Sequence, residues 1–269
     1  MMSMRGASAE AMAALREQLD SVLPGADAER VGDDLFSVAT LLRSDAALRR
    51  VVTDVSVRPE AKQGLARDLL GGKVADASLE LVSNAVGQRW TGTRDLADAL
   101  ERLAEIAVVK SAGADGERLG DELFTVAQLV NDNPALRDAL SDPARSDGDK
   151  AALVAGLLDG KALPATVTLA QQALTSSYRT VSVALAEYQK VAAEVHGESV
   201  AKVRSARELS DDEQTRLSEA LQRQYGRPIH LNVVVDPELV GGLRVEIGDD
   251  VIDGSVSSRL DEARRRLAG

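Results

Sequence analysis

Apolar residues fall at three- and four-residue spacings from the start of the chain to about residue 196, and beyond it they alternate with polar ones. Leu35, Val38, Leu41 and Leu42 form one such run, and Leu123, Val126, Leu129 and Val130 form another. Each set lies on one face of a helix and is expected to pack inward. Further helices are predicted at 59–70 and 147–158, closed by Gly71-Gly72 and by Gly160, where a residue without Cβ takes the left-handed turn. Ser146, three residues before Asp149, has the spacing of an N-cap for the second of these. Helices at 76–90, 164–178, 93–110 and 180–196 complete the helical part.

After His196 and Gly197 the period changes. Val200, Lys202 and Arg204 interleave with Ala201, Val203 and Ser205, predicting a short strand. Ser210 and Glu213 have capping-box spacing and open a helix to about Tyr225. Ile229, Leu231, Val233 and Val235 alternate with His230, Asn232 and Val234, and Leu243, Val245 and Ile247 alternate with Arg244 and Glu246. Two more strands follow, joined through Asp236-Pro237 and Gly241-Gly242. Gly241, Gly242, Gly248 and Gly254 are expected at structural turns or bulges. A last helix, capped by Asp253 and Ser255, is predicted with the apolar stripe Val256, Leu260, Ala263 and Leu267.

The two helical runs are copies of one another. Gly25 to Leu42 returns as Gly113 to Val130 with twelve of eighteen positions identical, where ordinary residue usage gives about one by chance. The offset of 88 persists: Leu48-Arg49 matches Leu136-Arg137, Lys62 matches Lys150, Gly72-Lys73 matches Gly160-Lys161, and Trp90 falls on Tyr178. Ala99, Leu100 and Leu103 also align with Ala11, Met12 and Leu15, so the helix that closes the first unit opens the second. The expected fold is therefore mainly α: two tandem helical-bundle units sharing a helix, followed by a small C-terminal α/β module. The boundaries are an extra N-terminal unit at 1–93, a bundle at 94–197, and the α/β module at 198–269.

Composition narrows the chemistry. Cysteine is absent, which removes disulfides and thiolate metal sites. No apolar run reaches the length of a membrane span, and Met1 to Arg16 lacks the pattern of a signal peptide, so a soluble chain is expected. The net charge of −11 argues against nucleic-acid binding. The acidity is concentrated early: residues 1–198 carry 21 basic and 30 acidic side chains, and 199–269 carry 11 and 13. Gly72-Lys73 and Gly160-Lys161 are not phosphate loops, because Val74 and Ala162 stand where a magnesium-binding hydroxyl is needed. His196 and His230 lack carboxylates at zinc spacing, and Asp142, Asp147 and Asp149 lack the glutamate that would close a calcium loop. No catalytic residue, metal ligand or cofactor site is predicted.

One run is specific to a family. Val235-Asp236-Pro237-Glu238-Leu239-Val240-Gly241-Gly242-Leu243-Arg244-Val245, then Ile247-Gly248-Asp249 and Val251-Ile252-Asp253-Gly254-Ser255-Val256 with Arg259-Leu260, strongly resembles the C-terminal signature of the delta subunits of bacterial F-type ATP synthases. The mitochondrial counterpart is the oligomycin-sensitivity-conferring protein. Ala201 to Ala206 before Leu209-Ser210 also fits, and the resemblance spans 94–269. It implies a non-catalytic stator subunit of the peripheral stalk, at the cytoplasmic side of the plasma membrane as part of the complex. Its partners would be the N-terminal helices of the alpha subunits, received by the bundle, and the C-terminal end of the b subunit, held by the α/β module. By the same resemblance the alpha-binding groove lies between the first and fifth helices of the second unit, with Leu96, Leu100, Leu103, Leu169, Ala173 and Leu174 as candidate lining, and Arg259 is the candidate stalk contact. A free helical adaptor unrelated to ATP synthesis is the alternative. Residues 1–93 depart from the family pattern as an extra copy of most of the bundle.

Overall fold

The structure is a computed structural model that describes residues 4–248 and 250–256. It is mainly α with a small α/β part, and the chain divides into two compact units that meet in sequence at Val191 and Ala192. Both stretches 1–93 and most of 94–197 therefore fall in the first unit.

The first unit begins with α1 (Ala7–Val22), then α2 (Ala28–Ser44), α3 (Ala46–Thr53), α4 (Pro59–Leu70), α5 (Asp76–Gly87) and α6 (Asp95–Ser111). A second series follows as α7 (Gly116–Asp132), α8 (Pro134–Ser141), α9 (Asp147–Leu158), α10 (Pro164–Gln172) and α11 (Val181–Val195). The first residues of α2 to α5 and of α7 to α10 differ by 88 in each case, and α1 and α6 start 88 apart as well. The starts have local causes. Asp27 accepts from the Arg30 amide, Asp45 accepts from the amides of Ala47 and Leu48, and Ser146 accepts from the Asp149 amide. The glycines after α4 and α9, Gly72 and Gly160, have φ of 72° and 64°, the left-handed turn expected there.

Several expectations change. α5 and α10 stop at Gly87 and Gln172, short of 90 and 178, and irregular chain and turns follow each. The Trp90 indole donates to the Ala85 carbonyl at 2.9 Å, which folds the chain back on the end of α5. Two short helices, α3 and α8, were not foreseen. Leu41 and Leu129 do not join the inward faces of their helices and stay exposed, whereas Leu35, Val38 and Leu42, with Leu123, Val126 and Val130, are buried.

The second unit holds β1 (Ser199–Ser205), α12 (Asp211–Tyr225), β2 (Ile229–Val235), β3 (Leu243–Ile247) and β4 (Asp250–Asp253). The strands lie in the order β2-β1-β3-β4, with β1 parallel to β2 and antiparallel to β3, and β3 antiparallel to β4. Ser210 and Glu213 make both bonds of the capping box that starts α12. Ala201, Val203, Leu221, Ile229, Val245 and Ile247 form the core, with Leu217 and Tyr225 of α12 packed on it. β4 is a correction: the stretch expected to lead into a helix pairs instead with Arg244 to Ile247. The last helix predicted after Val256, with Leu260, Ala263 and Leu267, lies outside the described residues.

Candidate partner interface

The helix α6 organises the first unit. Its counterpart α1 buries one stripe, Ser8, Ala11, Leu15 and Leu19. α6 buries twelve residues, from Leu96 to Val109, and leaves a half-buried polar strip of Asp95, Asp98 and Arg102. A helix covered on most sides has little solvent face to present, and α6 is covered because α2 packs along one side while α7 and α10 of the second series meet it from another. The α2–α6 approach is close: a Cβ on Gly32 would collide with the Val108 side chain and stand 3.3 Å from the Ala104 carbonyl oxygen. Gly120, the matching position of α7, has open space around it.

Both ends of α6 are tied to α1. Asp95 accepts from the Ser8 hydroxyl at 2.6 Å and from the Gly92 amide at 3.0 Å, and Lys110 pairs with Asp20 at 2.6 Å. Between these ends two glutamates, Glu101 and Glu105, sit one turn apart with almost no exposure. Glu101 pairs with Arg43 of α2 and accepts from both the amide and the hydroxyl of Ser177, in the segment between α10 and α11. Glu105 accepts from Arg102 at 3.0 Å and from the Tyr178 hydroxyl at 3.0 Å. Burial, only partly offset by Arg102, raises the Glu105 carboxyl to about 7. Burial and the nearby Glu105 likewise hold Tyr178 protonated far above neutrality, so it is a donor. Tyr178 stands edge-on to Tyr188 of α11 with ring centres 5.9 Å apart. Arg43 from the first series and Ser177 from the second thus meet on a single side chain of the shared helix.

The predicted alpha-contact residues occupy this region. Leu96, Leu100, Leu103 and Leu169 are fully buried, Ala173 nearly so, and Leu174 half-buried. Five of the six therefore stand in the packing of the isolated chain, and only Leu174 reaches its surface. Of the predicted turns, Gly241, Gly242 and Gly248 have positive φ. Gly254 does not, and its amide donates to the Leu243 carbonyl at 2.9 Å. At Gly242 a Cβ would come within 2.9 Å of the Ser255 Cα, so the turn also needs a residue without a side chain. Asp253 accepts from the Ser255 amide at 2.9 Å. Arg259 lies outside the described residues. The buried glutamates were missed from the sequence; the signal was the run Ile106-Ala107-Val108-Val109, which leaves that turn of α6 no polar face.

Comparison with known proteins completes the picture. The family model described as "ATP synthase delta (OSCP) subunit" matches residues 101–267. The chain belongs to the ATP synthase delta (OSCP) subunit family. Three proteins named ATP synthase subunit delta align along almost their whole length: one from a Nocardioides species is 58% identical over 99% of this chain and 98% of its own. That of Streptomyces coelicolor is 43% identical over the full length of both, and that of Kineococcus radiotolerans is 49% identical over 98% of each. These delta-subunit relatives thus extend through residues 1–100, which the family model leaves unmatched. The chain is accordingly a subunit of an ATP synthase, a membrane-associated complex, and no described helix is long and apolar enough to cross a membrane.

Proposed function

We propose that this delta-family chain is a stator subunit of a rotary, proton-translocating F-type ATP synthase. It joins the alpha/beta head to the b-subunit stalk, performs no chemistry itself, and resists the torque of the rotor. The observation that carries this reading is α6: one buried helix serves both helical series, so load applied to one is passed to the other through close packing and the Arg43–Glu101–Ser177 bridge rather than through a flexible linker. A free adaptor is disfavoured by the family match over 101–267.

For the alpha subunit, the proposed contact is the seam between α6 and α10. Leu174 is its accessible position, and Leu96, Leu100, Leu103, Leu169 and Ala173 form the firm floor beneath it, as a helix-in-groove contact requires. The α/β module is proposed to hold the b subunit, with Arg259 among the contacts. Placement at the cytoplasmic side of the plasma membrane follows from the complex. Co-purification of the full chain with its native partners in mild salt tests the reading: recovery of alpha and b subunits is expected, and their absence would overturn it. Leu174→Asp is expected to weaken recovery of alpha while leaving b in place.

A further inference from the structure

The segment 173–180 between α10 and α11 has no regular structure, and consecutive residues in it are fastened to α6 by the two buried glutamates: Ser177 to Glu101 and Tyr178 to Glu105. The matching segment of the first series is held differently. There the Trp90 indole bonds to the Ala85 carbonyl and the Thr91 amide to the Ser8 hydroxyl at 2.8 Å, and neither bond involves a group that titrates near neutrality. The first copy adds one half-buried carboxylate, Asp95, which accepts from the Gly92 amide and the Ser8 hydroxyl; in the second copy the segment hangs directly on two carboxylates that are almost wholly buried.

We propose that Glu105 is a proton-operated latch: with its proton bound, the segment 173–180 is held closed on α6, and loss of the proton lets that segment open.

The physical reason is desolvation. Glu105 has no contact with solvent, and a second carboxylate, Glu101, lies one turn away. The charged and titratable groups that face it are Arg102 and Glu101 on α6, Tyr178 on the segment itself and Tyr188 on α11. Arg43 of α2 faces the cluster through Glu101. One guanidinium and one phenol donor do not replace the hydration of a carboxylate, so the closed form favours the neutral acid. Opening the segment lifts Tyr178 away and admits water, which restores the ordinary preference for the charged form. Since proton binding is stronger when closed, opening must become easier as pH rises, by linkage. The raised carboxyl of Glu105 agrees in direction with this geometry. The device is intrinsic to the chain and does not depend on the partners proposed above.

Hydrogen–deuterium exchange on the full chain tests it, read as protection of 173–180 relative to 85–92 after correction for intrinsic rates. Between pH 5.5 and 8 the opening of 173–180 should rise about tenfold for each pH unit of binding preference that opening removes, while 85–92 stays constant. Glu105→Gln, which keeps the shape and cannot ionise, should make the ratio independent of pH. A flat ratio in the unsubstituted chain, or an unchanged rise in the variant, overturns the latch. A carboxyl carbon-13 titration of the unsubstituted chain reads the same group without any variant: Glu105 titrating near neutrality supports the latch, and titration in the ordinary carboxylate range overturns it.

Discussion

Asp34 and Glu122, 88 residues apart, make the same pair of bonds in the two helical series. Asp34 accepts from the Ala75 amide at 2.8 Å and the Ser78 hydroxyl at 2.9 Å, and Glu122 accepts from the Leu163 amide at 2.7 Å and the Thr166 hydroxyl at 2.6 Å. Each acceptor is also the i+4 partner of an arginine, Arg30 or Arg118. Ala75 and Leu163 are the N-cap residues of α5 and α10 and have no side-chain cap of their own. A carboxylate from a neighbouring helix takes the place of a local capping box, and the longer side chain at 122 still reaches. Asp34→Ala should cost about 2 kcal/mol, because it strands a part-buried amide and a buried hydroxyl. Calorimetric unfolding of the variant against the unsubstituted chain measures it.

Glu122 and Glu105 should respond to pH in opposite senses. Burial works against ionisation of Glu122, but the Thr166 hydroxyl, the Leu163 amide and Arg118 outweigh it and bring the carboxyl below its ordinary value. Its contribution is present above the ordinary range and is lost as pH falls through the lowered value. Glu105 is raised from 4.5 to about 7. Its penalty is absent below 4.5, grows as pH rises, and is complete above about 7. Glu105→Gln should therefore gain stability relative to the unsubstituted chain between pH 4.5 and 7, approaching about 3 kcal/mol at pH 8. Urea unfolding at a series of pH values checks the sign and the window.

The equivalent glycines Gly32 and Gly120 should respond differently to alanine. Gly32→Ala drives a methyl into Val108 and the α6 backbone and should destabilise by about 1–3 kcal/mol. Gly120→Ala meets nothing and should stabilise its helix by about 0.5–1 kcal/mol. Thermal melts of the two variants separate close packing from helix propensity.

Because α6 serves both series, the first unit should unfold as one. Leu100→Ala, at a fully buried position of α6, should cost about 2–5 kcal/mol. The loss should appear as a downward shift of a single helical transition. Two separated transitions in circular dichroism would show that the series unfold independently.

The parts of this fold that depend on near neighbours were readable in the sequence. The 88-residue offset, the Ser210–Glu213 box, the Ser146 cap and the alternation of Ala201, Val203 and Ser205 all rest on spacing within a few residues or on direct comparison of segments. What escaped depends on distant partners. β4 is a four-residue strand whose identity comes from pairing with β3. The chain that follows α5 and α10 is fastened by Thr91 to Ser8 and by Ser177 and Tyr178 to Glu101 and Glu105, all distant in sequence. Glu101 and Glu105 taken singly read as ordinary solvated positions of a helix, and the apolar run Ile106 to Val109 hints at their burial without naming the distant partners, Arg43, Ser177 and Tyr178, that meet them. The candidate alpha-contact leucines were readable as an apolar stripe, but a stripe does not distinguish packing inside the chain from a surface kept for another protein.

The shared helix also bears on how such a chain can change. In a bundle standing alone, the outer face of the opening helix drifts freely among polar residues, as α1 does with Glu10, Arg16 and Glu17. On α6 the same register is read twice, once by each neighbour, so a substitution welcome to one is vetoed by the other. Trimming the gene back to the second series alone would then require rewriting Val108, because the side of α6 that meets Gly32 of α2 would become an apolar surface in water. A repeat whose middle helix is held in common is hard to shorten to one copy.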